Sequence, residues 1–480
     1  MQAAPNGPIA AAPKDPARWW GMGEVVRLSV PTVLNTVSFT IMQFVDGLMV
    51  SHVSKEALSA QFIGGISSFT PLCFFIGLLS CVSTFASQNL GAGRPERSAA
   101  YGWQGLWVAV LAAAMLAVLI PPAGALLGLM GHSPDVLALE TQYFQILIAG
   151  AIFNLASAAL GSFFVGMHRP MVPLLAGVAG NAVNVVAAYG LIFGALGMPR
   201  LGLTGAAVAS VTGGAVQALV MLVLFVAGPY ARQYRVRPQW RLARGPLLDL
   251  LRIGSPAGAM FIGDVLMWAI FMGRIIGTFG TQHLAAAAIL NRYWHLCFMP
   301  AIGVSAAVTA IVGRHCGAGH PQLAWRRAHA GLVLVEAYMV TCGVAIWLAR
   351  DFLIGVFNSE GGPQVQAIAT GAVIFILLCQ AFDALNVIFI GALRGAGDTL
   401  WPGIVQLTLA YGVGLGGSAA VAYLWPEWGS YGPWAAASVY IAVLGLVMWG
   451  RFLGGRWRSF RVVEPVPAMM TEEPSLLPPG

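Results

Sequence analysis

Twelve apolar runs occupy almost all of this sequence, near 27–50, 58–88, 99–128, 137–167, 171–196, 202–227, 248–278, 284–313, 324–349, 365–392, 401–424 and 431–453. Each is as long as the roughly 20 residues that carry a helix across a bilayer. Inside hydrocarbon every backbone polar group must find its partner within the segment, so such runs fold as helices. The expected fold class is an all-α polytopic membrane protein. Composition agrees, with 58% of residues hydrophobic and only 9% charged, against roughly a quarter charged in soluble domains.

The sequence also repeats itself. Arg27-Leu-Ser-Val-Pro31 returns as Arg252-Ile-Gly-Ser-Pro256, Gln88-Asn-Leu-Gly-Ala-Gly93 as Arg314-His-Cys-Gly-Ala-Gly319, and Gly166-Met-His-Arg169 as Gly391-Ala-Leu-Arg394. Each copy holds an even number of spans, so the second enters the membrane from the same side as the first. Two parallel six-helix repeats follow, related by a pseudo-twofold axis along the membrane normal, with a substrate path between or within them. The expected divisions are a tail over 1–24, a first lobe over 25–228, a basic linker over 229–247, a second lobe over 248–455 and a tail over 456–480.

Basic residues set the expected orientation, because cytoplasmic loops retain positive charge. With both termini cytoplasmic, 20 of the 25 lysines and arginines fall on the inner side. Only Lys55, Arg200 and Arg350 lie outside, and Arg274 and Arg292 lie within spans. The net charge of +7 is thus a topology signal, and nucleic acid is not an expected partner. The cluster Arg232, Arg235, Arg237, Arg241 and Arg244 reads as a linker touching anionic membrane lipid. The six cysteines, Cys73, Cys81, Cys297, Cys316, Cys342 and Cys379, have no metal-type spacing and read as small buried hydrophobes. No signal peptide is evident at the amino terminus.

A carboxylate in mid-span costs roughly 2.5–3.5 kcal/mol on insertion scales, so each one needs a reason. Four acids sit deep in apolar runs: Asp46, Asp264, Glu336 and Asp383. Counting about 1.5 Å per residue, Asp264 lies ~18 Å from Arg252 and Asp383 ~16 Å from Arg394, so the two can meet near the midplane. Asp46 is ~28 Å beyond Arg27, in the other lobe and at another level.

Helical spacing groups Asn35, Phe39 and Met42 with Asp46, Met260 and Trp268 with Asp264, and Gln380 and Asn386 with Asp383; the eighth run adds Asn291 and His295. Carboxylates among amides, methionines and aromatic rings suit a cavity for large, mostly apolar, often cationic molecules. Against this stand structural readings: the acids pair with Arg274 or Arg292, Glu336 is a structural acid among aliphatic neighbours, His295 is a packing residue, and the Met and aromatic stripes are core. The Gly-Ala-Gly loops read as tight turns. Pro31 and Pro256 open the first helix of each lobe, as hinges or as simple start signals.

Together these residues resemble the multidrug and toxic compound extrusion family, over Arg27 to Arg451. The parts that carry the resemblance are Asp46, the Gly-Ala-Gly loops, Phe298-Met-Pro-Ala-Ile-Gly303 with Val312-Gly313, and Gly391-Ala-Leu-Arg394 with Asp398-Thr399. The resemblance implies a V-shaped pair of lobes exporting organic cations and metabolites in exchange for protons or sodium ions, as a monomer in the cell membrane, with no cofactor. Asp264 stands where NorM-like members have a glutamate, and Asp383 matches their aspartate. Asn184 fits the first-lobe site, but the position four residues on is Ala188, with Asn181, one turn earlier, as the substitute and Asn154 as a further contributor. Cys379 stands where some sodium-coupled relatives have tyrosine. These departures favour coupling through Asp264 and Asp383, with the proton preferred over sodium.

A lipid or lipid-linked saccharide flippase is the alternative. It calls for a broad basic cavity, and only Arg274 and Arg292 are basic within spans. An enzyme is disfavoured, since no HExxH, Gly-x-Ser-x-Gly or nucleotide-binding loop occurs.

Overall fold

The computed structural model describes residues 21–357, 362–460 and 462–463. The tail expected over 1–24, except its last residues, and most of that over 456–480 lie outside the described residues. Twelve spans run in order: α1 Met22–Ser51, α2 Lys55–Gly91, α3 Pro95–Ala117, α4 from Pro134–Ala149 and Ala151–Gly166 bent by 45°, α5 Met171–Phe193 and α6 Leu203–Val226. Then follow α7 Arg244–Phe279, α8 Thr281–Gly317, α9 Pro321–Leu348, α10 Gly362–Ala396, α11 Leu400–Leu424 and α12 Tyr431–Leu453. No strand occurs among the described residues.

Several spans are less regular than the apolar runs imply. The run 99–128 stops as a helix at Ala117, because Pro121 and Pro122 cannot continue it, and Ala123–Gly128 forms a separate short helix. A π-helical turn interrupts α7 at Phe271–Ile275 and α11 at Ala410–Gly417. Such turns place one extra residue in a helical circuit and occur mostly at functional positions. Pro31 and Pro256 do not open their helices. Both lie well inside, where each ring leaves a backbone carbonyl one turn earlier without its usual donor.

The two repeats meet as a pseudo-twofold pair. A side chain on Gly91 would strike the carbonyl of Arg314, and one on Gly317 would strike the carbonyl of Gln88, the counterpart of Arg314 in the first repeat. One crossing higher, a Cβ on Gly77 would lie 2.7 Å from the Ala257 carbonyl oxygen, and one on Gly303 2.8 Å from the Val33 Cα. Ala257 and Gly258 correspond to Thr32 and Val33, so α2 crosses α7 as α8 crosses α1. Hydrogen bonds reinforce the seam: Thr32 Oγ1 donates to the Gly303 carbonyl at 2.7 Å, Thr84 Oγ1 to that of Arg394 at 2.9 Å, and Gln88 Nε2 to that of Gly395 at 2.9 Å.

At the same end two polar latches join the lobes. Glu24 of α1 accepts from Arg327 Nε of α9 at 2.7 Å, with His315 at 3.5 Å. Tyr101 of α3 donates to Asp249 of α7 at 3.2 Å. Asp249 is the counterpart of Glu24, and Tyr101 that of Arg327, so one latch is ionic and its symmetry mate is neutral on one side.

The linker is strapped to the first lobe. Trp103 and Trp107 of α3 donate their indole N–H groups to the carbonyls of Val236 and Trp240, each at 2.9 Å. Fully buried Gln104 donates to the Arg241 carbonyl at 3.1 Å and accepts from the Ala243 amide at 3.3 Å. At the other end of the second lobe, Trp457 is buried against Phe452 with ring centroids 4.7 Å apart, so the chain stays packed past the expected start of the tail at 456.

Candidate functional site

The first-lobe carboxylate, Asp46, is only 5% exposed on α1. Asn184 Nδ2 of α5 and Ser210 Oγ of α6 approach its Oδ2 at 3.4 and 3.5 Å, while its Oδ1 and the Asn184 Oδ1 are buried without a donor. The Tyr143 phenol of α4 lies within its electrostatic reach. An orphan oxygen on the acid itself and another on its amide neighbour leave acceptors to which a proton or a small cation could bind. The place beside Asp46 expected of Asn181, with Asn154 contributing, is held by Ser210: Asn181 donates to Ser38 at 2.9 Å, and Asn154 is exposed on α4. Ala188 is fully buried in the first-lobe core.

The second-lobe pair lies inside a five-helix pocket. Asp383 of α10 is 4% exposed and accepts from Asn386 Nδ2 at 3.4 Å. Asp264 of α7 sits within its electrostatic reach, with Gln406 of α11 turned onto the Asp264 carboxyl. The buried Tyr440 ring of α12 lies in the field of both acids. Tyr411 anchors the π turn of α11 by donating to the Gly263 carbonyl at 3.1 Å, one residue before Asp264. Trp268 meets the Trp294 indole edge to face at 4.6 Å, and Trp294 in turn borders Asp383.

Neither aspartate forms an ion pair with an arginine among the described residues. Arg274 and Arg292 are both exposed, so the reading of Asp264 and Asp383 as structural halves of such pairs fails. Cys379 bonds to Ser438 at 3.3 Å, one turn before Asp383. Met260 is buried on α7 beneath Gly403. Gln380 is fully buried with both amide atoms unpartnered, on the side of α9. His295 is exposed, Asn291 is half-buried, and neither bonds to an aspartate. Glu336 is half-buried on α9 with Oε2 unpartnered. On α1, Phe39 is 48% exposed, Met42 is half-buried, and Asn35 lines a cavity of about 180 Å³ between the lobes.

The residues missed from sequence are Ser210, Tyr143, Gln406, Tyr440 and Trp294. Gln406 carried a legible signal, a lone amide within an apolar run. Serine and aromatic residues are too common in spans to stand out.

Two parallel lobes on a pseudo-twofold axis, each burying acids inside its own bundle, define a transporter scaffold. The MatE family model matches residues 31–190 and 256–418, one stretch in each repeat, and the chain belongs to this family of membrane transporters. It is 30% identical to a probable multidrug resistance protein NorM of Xanthomonas axonopodis pv. citri, over 92% of this chain and 97% of that one. It is 28% identical to a protein of the same description from Brucella suis, over 91% and 95%. Among solved structures, the eukaryotic MATE transporter AtDTX14 superposes with a TM-score of 0.81 at 18% identity, covering 91% of this chain and 96% of that one. An outward-facing multidrug resistance MATE family transporter gives 0.81 at 19%, covering 90% and 95%.

Proposed function

We propose that the chain is a secondary antiporter that exports organic, often cationic and amphipathic, drugs or metabolites in exchange for protons or sodium ions. The observation that carries the reading is buried Asp383 with half-buried Asp264, two mid-span acids within each other's field and, among the described residues, without a basic partner. A pair of like charges so placed binds a proton or cation readily and releases it when the lobe rearranges. If the ion and the substrate favour opposite states, reciprocity makes loading of one promote release of the other.

The proton is preferred. The side-chain oxygens set around Asp383 and Asp264 are those of two carboxamides, Asn386 and Gln406, and the Tyr440 phenol, a thin set for a sodium ion. Asp46 with Asn184 and Ser210 supplies a second cation-responsive group. With both termini cytoplasmic in the cell membrane, the seam of Gly91 and Gly317 closes the inner face, and the cleft opens outward. Membrane lipids surround a monomer. No observation favours the flippase reading: the interlobe cavity holds one arginine rather than a broad basic lining.

The test loads proteoliposomes with a fluorescent cationic dye and imposes proton or sodium gradients separately. Export under one gradient, abolished by Asp383→Asn and Asp264→Asn, is expected. Normal export by both variants would refute the site.

A further inference from the structure

The second copy of the repeated Gly-x-x-Arg motif differs from the first in where its arginine points. Arg169, in the first repeat, lies over the Tyr230 ring at 5.5 Å. Arg394, its counterpart at the end of α10, lines the interlobe cavity, and its guanidinium has neither an ion pair nor a hydrogen bond among the described residues. A guanidinium carries five N–H donors and no acceptor. Nothing among the described residues answers that charge.

The hydroxyls around it sort by what their protons do. Thr32, Thr36, Ser80 and Thr309 donate to the carbonyls of Gly303, Val33, Gly77 and Gly391 at 2.6–2.9 Å, so they offer the cavity only oxygen. Ser83 is 5% exposed, and its buried Oγ has no partner. The donors left to a ligand are Arg394, Ser83, the Ser162 hydroxyl and the Asn35 amide, all lining one cavity. Val165, Pro173, Ile302 and Ala306 complete an otherwise apolar wall.

We propose that this cavity is an anion-accepting subsite for the carboxylate of an amphipathic zwitterion, a refinement that rests on the exporter reading. A carboxylate matches the fork of an arginine and the single proton of Ser83. At about 180 Å³ the cavity is smaller than the ~300–1,000 Å³ of sites that enclose a drug-sized ligand. It therefore takes the acidic end of a molecule whose apolar, cationic body lies along the cleft between the lobes. The carboxylate compensates Arg394, while the body keeps the positive charge expected of an exported cation.

The test uses one xanthene dye in two forms, the free carboxylate zwitterion and its ethyl ester. Their binding to the purified full-length protein is read by fluorescence anisotropy, alongside gradient-driven export. The wild type is expected to prefer the carboxylate form. Arg394→Gln is expected to lower the ratio of carboxylate to ester affinity about tenfold, with Arg394→Lys, which keeps the charge but not the fork, restoring only part of it and Ser83→Ala giving a smaller fall. A structural defect would weaken both forms alike and leave the ratio in place.

A wild type that prefers the ester, or a ratio unmoved by Arg394→Gln, overturns the subsite. Absent export with the ratio still dependent on Arg394 overturns the antiport reading alone. Failure to bind either form overturns both.

Discussion

Ser87 lies against Gly313, the residue that holds its own position in the second repeat, so the pseudo-twofold axis passes between them. Neighbouring contacts repeat on either side of that point, Gly91 on Arg314 and Gly317 on Gln88. The seam is self-complementary in the manner of an isologous dimer interface. Its closeness depends on glycine, because a methyl group at either site would meet backbone, which cannot swing aside.

Gly317→Ala and Gly91→Ala should each destabilise the closed seam by roughly 1–3 kcal/mol, the usual cost of overpacking. Dye export should fall in both, and thermal unfolding in detergent should begin earlier. Gly93→Ala, at a left-handed turn with open space around it, should affect turn geometry but not the seam. Equal loss of export in all three would remove the seam as the cause.

The latches predict a charge-swap result. Glu24→Arg and Arg327→Glu should each loosen the closed state by about 1–2 kcal/mol, and the double swap should restore much of it. Tyr101→Phe should act on the symmetry-related latch and add to either single change, because both latches hold the same state. Hydrogen exchange of the α8–α9 turn reads the opening directly.

Asp383→Asn and Asp264→Asn are expected to lower gradient-driven export by about tenfold or more, within the range of common coupling energies. Asp46→Asn should have a smaller effect. Ser210→Ala should resemble Asp46→Asn in ion dependence if the hydroxyl supports that acid, and should match the wild type if it does not. Initial export rates across a pH series separate the cases.

His168 lies in the turn between α4 and α5, outside the spans, in a left-handed backbone conformation. Burial, reinforced by the nearby Arg314 charge, pushes its pKa down from 6.5 to about 4. Its neutral ring donates to the Ala310 carbonyl at 3.2 Å across the lobes. The unfolded chain then binds this proton more readily, so the stability it contributes is complete above about pH 6.5 and declines as pH falls towards 4. His168→Asn, which tolerates the backbone conformation, should flatten that part of a melting-temperature profile. An unchanged profile would mean that other groups carry the acid sensitivity.

Hydropathy alone located all twelve spans, because satisfying a backbone in lipid leaves few alternatives to a helix. The repeat fixed their parallel arrangement. Irregularities were less legible: the π turn of α11 depends on Tyr411 reaching α7, a tertiary event with no local signal. At the site, mid-span charge exposed Asp46, Asp264 and Asp383, whereas Ser210 became visible only once α6 was placed beside α1. Asn181 lies on α5 one turn from Asn184, yet it turns to Ser38. The distribution of basic residues puts Arg394 with the cytoplasmic ones. Its position near a helix end told nothing of the face it presents to the cleft.

The strapping of the linker to α3 has a mechanical consequence. Because Trp103, Gln104 and Trp107 hold residues 236–243 to the first lobe, that stretch moves as part of the first lobe. Any relative displacement of the lobes must be absorbed at the junction of Ala243 with Arg244, the first residue of α7, or within the helix beyond it. The covalent connection thus brings the two halves together during assembly, while the timing of the stroke belongs to contacts that break and re-form without it.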